Sequence, residues 1–245
     1  MNDVAAGSIS DDQTICQGYD PSAFTSVAAT GSGAITYQWQ VNQNIATPSW
    51  SNISGATSAT HDVGPLAADA QYRRVATSTL NGVACTATSN VVTVTVNNVT
   101  AGIVAGDQTI CSGGDPVAFT VSTAATGDAT PTYQWQNSTD GGTSWSNIGS
   151  ATSATYDAGT LTADAQYRRI ATSTLNSIAC SAVSNVLTVT VNNLDAGAIA
   201  GSQTICEGGD PVAFTSTTAG TGDGTITYQW QNSTDGGTSW SNIGS

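Results

Sequence analysis

Apolar and polar residues alternate along this chain in short runs. The segment Val91-Val92-Thr93-Val94-Thr95-Val96 puts every second side chain on one face, as a half-buried strand requires, and Val186 to Val191 repeats it. Ala23-Phe24-Thr25, Tyr37-Gln38-Trp39 and Tyr72 to Ala76 supply further short strands. Turn residues separate these runs: Asp20-Pro21, Asn81-Gly82 and Asp140-Gly141-Gly142. No helical period competes. About seven short strands between turns, within one stretch of about a hundred residues, predict an all-β, two-layer Greek-key sandwich.

The pattern recurs. Cys16, Cys111 and Cys206 are 95 residues apart, as are Cys85 and Cys180, and residues 101–150 match residues 196–245 at 41 of 50 positions. The first copy has drifted. Trp39 follows its cysteine by 23 residues, whereas Trp135 and Trp230 follow theirs by 24, and the register is restored at Trp50, Trp145 and Trp240. Three units follow: repeat 1 at 1–98, repeat 2 at 99–193, and the N-terminal half of a third repeat at 194–245. The third lacks counterparts of Tyr167, Arg168, Arg169 and Cys180. Its completion is expected either from further chain or from strands of a neighbouring molecule. The junctions, such as Asn192-Asn193-Leu194-Asp195, are so short that an extended, semi-rigid rod is expected.

Composition narrows the function. The net charge is −13, with seventeen acidic residues against four arginines and no lysine. Nucleic acid and anionic lipid both require a basic surface, so neither is an expected partner. No run approaches the roughly twenty apolar residues of a membrane-spanning helix. Residues Met1 to Val4 do not form a signal peptide, so an export signal would lie outside this sequence.

Two cysteines per intact repeat, 69 residues apart, suggest a disulfide within each repeat: Cys16 with Cys85 and Cys111 with Cys180. Cys206 is then left unpaired by truncation. Such bonds imply an oxidising, extracellular setting, the alternative being reduced thiols in a cytosolic protein. Zinc is disfavoured because no second Cys or His stands at ligand spacing.

Trp39, Trp135 and Trp230 sit in Tyr-Gln-Trp-Gln, and the run Asp-Ala-Gln-Tyr places Tyr72 and Tyr167 downstream in the two intact repeats. These five are the expected core aromatics. They resemble the strand-C tryptophan and the tyrosine corner of immunoglobulin domains. Where an antibody domain carries a cysteine two residues after that tyrosine, this chain has Arg74 and Arg169. Of each arginine pair, one is expected to lean inward onto a carboxylate such as Asp62 or Asp69.

Four residues form a possible ligand loop: Asp140 and Trp145, repeated as Asp235 and Trp240, in the Asp-box pattern Ser-x-Asp-x-Gly-x-x-Trp. The loop reads either as a capped hairpin or as a glycan contact, and repeat 1 keeps only Trp50 of it. The single histidine, His61, aligns with Tyr156 and is expected at a surface or edge. No catalytic set, metal motif or cofactor motif is present, so an enzyme is not expected. Calcium at the junctions, through Asp195, Asp107, Asp115 or Asp210, is a minor option.

The ordered string from Thr-Ile-Cys-x-Gly through Tyr-Gln-Trp-Gln, Asp-Gly-Gly-Thr-Ser-Trp and Tyr-Arg-Arg to Ser-Asn-Val resembles the Ig-like repeats of very large Bacteroidota surface proteins, among them SprB-type gliding-motility adhesins exported by type IX secretion. The resemblance implies tandem immunoglobulin-like sandwiches at the cell surface, in an adhesin or filament used for gliding or attachment. Similar repeats serve as spacers or carbohydrate-binding modules in other secreted proteins. Expected partners are neighbouring repeats, lateral copies and surface polysaccharide.

Overall fold

The computed structural model describes residues 1–244. Ser245, the last residue of the expected third unit, lies outside them. All regular structure among the described residues is β. Repeat 1 contains β1 (Val4–Ala5), β2 (Ser8–Ser10), β3 (Gln13–Cys16), β4 (Thr25–Val27), β5 (Thr30–Gly31), β6 (Ala34–Asn42), β7 (Ser51–Asn52), β8 (Ala70–Leu80), β9 (Val83–Thr88) and β10 (Val92–Asn97). One sheet runs in the order β3-β10-β8-β6-β7, with β9 paired to the outer half of β8. The pair β3–β10 is parallel and the others antiparallel. The facing layer consists of the short pairs β2–β4 and β1–β5. Together these layers form an immunoglobulin-like sandwich.

Repeat 2 follows the same plan with β11 (Val99–Thr100), β12 (Ile103–Ala105), β13 (Gln108–Cys111), β14 (Thr120–Thr123), β15 (Thr126–Gly127), β16 (Thr132–Ser138), β17 (Ser146–Asn147), β18 (Ala165–Leu175), β19 (Ile178–Val183) and β20 (Leu187–Asn192). The third unit holds β21 (Leu194–Asp195), β22 (Ala198–Ala200), β23 (Thr215–Thr218), β24 (Thr221–Gly222), β25 (Gln231–Asn232) and β26 (Ser241–Asn242).

The long strand β8 organises the core because its buried positions alternate strictly from Ala70 to Ser78. Tyr72 points inward against Phe24, ring centroids 5.3 Å apart, and Trp39 from β6 is wholly buried beside them. Tyr167, Phe119 and Trp135 repeat the arrangement, with Tyr167 and Phe119 at 4.9 Å. Each buried indole N–H finds a carbonyl 3.0 Å away, Ser58 for Trp39 and Ser153 for Trp135.

Two residues later on the same face comes the arginine, and its environment departs from expectation. Arg74 and Arg169 are fully buried, and no carboxylate is among their hydrogen-bond partners. Arg74 donates to the hydroxyl of Ser26 and to the carbonyls of Ala59, Ala6 and Val27, the last at 2.8 Å. Arg169 donates to Ala154 O at 2.6 Å and Ala101 O at 3.0 Å. The guanidinium planes lie over Tyr37 and Tyr133, 4.4 and 4.3 Å from the ring centroids. Asp69, proposed as a partner, instead accepts the amide of Val96 at 2.7 Å. Several carbonyl dipoles converging on one planar fork replace a counter-ion. The arginine therefore ties the two layers together at the place where an antibody domain has its disulfide.

A second tie joins the layers at the step between β9 and β10. Asn90 accepts from Ile9 N at 2.9 Å and donates to Ile9 O at 2.7 Å, so a side chain completes a strand-like pairing to β2. Asn185 does the same with Val104. Within the facing layer of repeat 2, the chain entering β12 approaches β14 closely at Gly102, where φ is +68° and a Cβ would lie 2.2 Å from Thr123 O, so only glycine fits.

His61 is not at a surface. It packs half-buried among the aromatics, 5.6 Å from Trp39 and 6.5 Å from Tyr72, in the place of Tyr156. Burial pushes its pKa below the ordinary 6.5, and nearby Asp62 only partly opposes this. The folded state therefore favours the neutral ring. Stability is full above the ordinary value and falls as pH drops through 6.5 toward the lowered folded pKa.

Two outcomes are expected. Arg169→Lys, which cannot present the fork to two separate carbonyls, should destabilise repeat 2 by about 2 kcal/mol in urea unfolding followed by tryptophan emission. His61→Tyr should remove the loss of melting temperature between pH 7.5 and 5 that is specific to repeat 1; an unchanged pH profile would contradict the burial argument.

Candidate functional site

The most elaborate constellation in the molecule lies where two repeats meet. At the end of β10, Asn97 is fully buried. Its Nδ2 donates to the carbonyls of Ser173 and Ile178, both at 2.9 Å, and its Oδ1 accepts from Ser173 Oγ at 2.8 Å. Ser173 belongs to β18 and Ile178 opens β19, so one side chain of repeat 1 clamps the β18–β19 hairpin of repeat 2. Asn176, in the turn of that hairpin, donates to Thr14 Oγ1 of β3 at 3.0 Å. The hairpin tip therefore reaches back across the junction onto the edge of the preceding sandwich. On the other side of the junction, Asn98 donates its backbone N–H to Asp128 Oδ2 at 2.6 Å.

The disulfide lies in this joint, and it corrects the expected pairing. Cys16, at the end of β3, is bonded to Cys180 in β19, with Cα atoms 5.5 Å apart and a sequence separation of 164. Cys85 and Cys111 are free thiols rather than partners within their repeats, and Cys206 is free as well. The reason is geometric. In each sandwich the first cysteine sits at one end of the main sheet, beside the asparagine that ends the last strand (Cys16↔Asn97, Cys111↔Asn192), while the second sits in the hairpin that projects from the other end. Closing a loop of this size stabilises the folded state by about 5 kcal/mol if unfolded-chain entropy dominates.

Sequence reasoning missed the asparagine clamp, although its signal was present: asparagine recurs at positions 2, 97 and 192 with the same 95-residue period as the cysteines. Asn2 clamps repeat 1 in the same way, donating at 2.8 Å to the carbonyls of Ser78 and Val83 and accepting from Ser78 Oγ at 2.9 Å.

The possible ligand loop is a closed hairpin in repeat 2. Ser138 Oγ donates to Asp140 Oδ1 at 2.7 Å and accepts from the Gly142 amide at 2.9 Å. The Ser144 amide donates to Asp140 Oδ1 at 2.9 Å, and the Ser144 hydroxyl donates to Oδ2. Gly141 and Gly142, at φ +72° and +87°, provide the left-handed turn. Hydrogen bonds from Ser144 and Ser138 hold the exposed Asp140 carboxyl down to about 2, against an ordinary 3.8. Trp145 is half-buried on the outer sheet face rather than in the core. Its indole N–H donates to Gly142 O at 3.1 Å, and the Arg168 guanidinium lies 4.2 Å over its ring. Arg168 is in turn held by Gln136 at 2.8 Å. In repeat 1, Asn42 takes the organising role, accepting from the amides of Asn44 and Ser49 at 3.1 Å, and Arg73 covers Trp50 at 4.2 Å.

The third unit corrects another expectation. Trp230 is 49% exposed and Trp240 59% exposed, because residues 194–244 contain no counterpart of β18 or β20 to cover them. Phe214, Tyr228, Trp230 and Trp240 line an open cleft of 760 Å³. Asp235 keeps the hairpin bonds to Ser233 and Ser239, which again depress its pKa. Among the described residues, no group of three or more His, Cys, Asp or Glu side chains converges where a metal could be held.

These features define a class: tandem immunoglobulin-like β-sandwiches in which the hairpin of one unit is fastened to the sheet edge of the unit before it. A family model described as Domain of unknown function (DUF8696) matches residues 5–98, 100–193 and 195–245, so the chain belongs to that family. No curated protein matches the sequence. Among solved structures, the chain is similar to three N-terminal domains of the highly immunogenic outer capsid protein Hoc of bacteriophage RB49, at 11% identity and TM-score 0.43, covering 78% of this chain and 70% of that one. It is also similar to a three-Ig segment of titin, at 12% identity and TM-score 0.40, covering 78% of this chain and 65% of that one. A third likeness is to the N-terminal four Ig domains of Dscam1 isoform 8.4, at 13% identity and TM-score 0.33, covering 78% and 46%. The chain thus spans less than two thirds of the titin and Dscam1 chains.

The hairpin chemistry is directly measurable. In an NMR titration Asp140 should show a midpoint near 2, so hairpin protection is present above the ordinary 3.8 and is lost as pH falls through the folded value. Ser144→Ala should move that midpoint up toward the ordinary one; no movement would contradict the assigned cause.

Proposed function

We propose that this chain is a load-bearing structural segment of an extracellular cell-surface adhesin or filament, and that it performs no catalysis. The observation that carries the reading is the joint: a disulfide and an asparagine clamp fasten consecutive repeats. A flexible string of independent binding modules needs no such fastening, whereas a stalk that transmits force does. A disulfide of this kind suits an oxidising compartment, which supports an extracellular location. The acidic, lysine-free surface suits a long polymer that must stay hydrated and avoid clumping. Attachment and gliding motility are the specific uses suggested by the sequence resemblance to Bacteroidota surface repeats, with surface polysaccharide as the matching partner class. Glycan contact through the Asp140 loop is the less favoured reading, since Arg168 covers the Trp145 ring and both Asp140 oxygens already accept hydrogen bonds.

Single-molecule pulling tests the mechanical part. The chain between Cys16 and Cys180, 164 positions apart in sequence, cannot extend while the bond holds. Adding reductant should therefore release about 560 Å of further contour at about 3.4 Å per residue. Antibodies against the chain should label intact, unpermeabilised cells. Equal contour lengths before and after reduction, or labelling only after permeabilisation, would overturn the proposal.

A further inference from the structure

We infer that Cys111 and Cys85 each belong to a disulfide ladder that runs between consecutive repeats of this type: the first cysteine of each repeat bonds to the second cysteine of the repeat that follows. The inference stands on the geometry of the joint and is independent of the adhesin reading.

The chain contains one complete rung and one half of each neighbouring rung. In the complete rung, Cys16 lies beside Asn97 in the parallel β3–β10 pair, Asn97 is buried under the β18–β19 hairpin, and Cys180 on that hairpin closes the bond. At the far end of repeat 2, the β13–β20 pair sets Cys111 beside Asn192 in the same register. Here both are exposed. The amide of Ser112 bonds Asn192 O at 3.1 Å, as Gln17 bonds Asn97 O, so the backbone of this edge is already in the form that receives a hairpin.

The opposite end supplies the complementary half. Cys85 lies in β9 of the β8–β9 hairpin, directly across from Ser78 in register. That hairpin is already clamped by Asn2 through the contacts that Asn97 makes to repeat 2. Asn2 thus stands to this hairpin as Asn97 stands to the β18–β19 hairpin, and the Cys85 thiol occupies the place that Cys180 occupies beside the sheet edge of repeat 1. The partner for each free thiol is accordingly another repeat of this kind: a following hairpin for Cys111 and a preceding sheet edge for Cys85.

Forming each rung removes one proton and one electron from each of two thiols. A small-molecule disulfide takes up both electrons and both protons and departs as two thiols, leaving one new S–S bond. Cys206, as the first cysteine of the third unit, is assigned to a rung with a fourth.

The test lengthens the chain. Appending a copy of residues 151–193 after Ser245 supplies the second half of a third repeat and adds one cysteine at the position of Cys180. The extended protein is folded in oxidised glutathione, alkylated, and mapped by peptide mass spectrometry without reduction. The expected result is a link between Cys111 and the added cysteine, the Cys16–Cys180 link retained, and Cys85 and Cys206 alkylated. A link between the added cysteine and Cys206 would overturn the ladder, as would recovery of Cys111 and the added cysteine both alkylated. In the Cys111→Ser version of the extended chain the added thiol should be alkylated; its capture by Cys206 would point to pairing within a repeat and count against the inference. Retention of the Cys16–Cys180 link in every sample reports that the first two repeats have folded.

Discussion

The architecture depends on one strand that serves two sandwiches. In β8 and β18 the inner half alternates Ala, Tyr, Arg and Ala into the core of its own repeat. The outer half turns back through a hairpin. In repeat 2 that hairpin seats against the preceding unit. Period-two geometry makes this possible, because a strand can bury one face along its whole length while its partners change from β10 to β9. A disturbance of the arginine that anchors the inner half would also shift the hairpin carrying the inter-repeat contacts. Stability of the unit and cohesion of the array are therefore coupled through one continuous backbone.

The buried arginine illustrates how a sandwich can do without an internal disulfide. A lone buried cation is costly unless its donors are satisfied and its charge is spread. Here the terminal guanidinium nitrogens meet backbone carbonyls, with the Ser26 hydroxyl added for Arg74, the charge rests on an aromatic face, and only Nε is left without a partner. Both cysteines are thereby released from holding the layers together and are available for use between units.

Much of this was legible in the sequence, for definite reasons. Alternating valine and threonine, aromatic anchors and turn residues are local signals, and they placed the strands and the buried Trp39, Trp135, Tyr72 and Tyr167. Cysteine pairing was not legible. With two cysteines recurring at one common period, bonding within a unit and bonding to the next unit are equally compatible with the spacing, and only the direction of the hairpin decides. Trp230 was misplaced because identity with Trp135 was read as identity of environment, whereas burial needs strands that residues 194–244 do not contain. The inward arginine followed from alternation, but its carbonyl partners come from loops that no periodicity describes.

The backward reach of the hairpin has a consequence for proteolysis. A peptidase that cuts once between Asn97 and Asn98 severs the main chain, yet the Cys16–Cys180 bond lies on both sides of the cut and keeps the fragments joined. Such a nick would leave the molecule's mass unchanged apart from one added water. Release of repeat 2 by a cut at this joint would require reduction as well as hydrolysis.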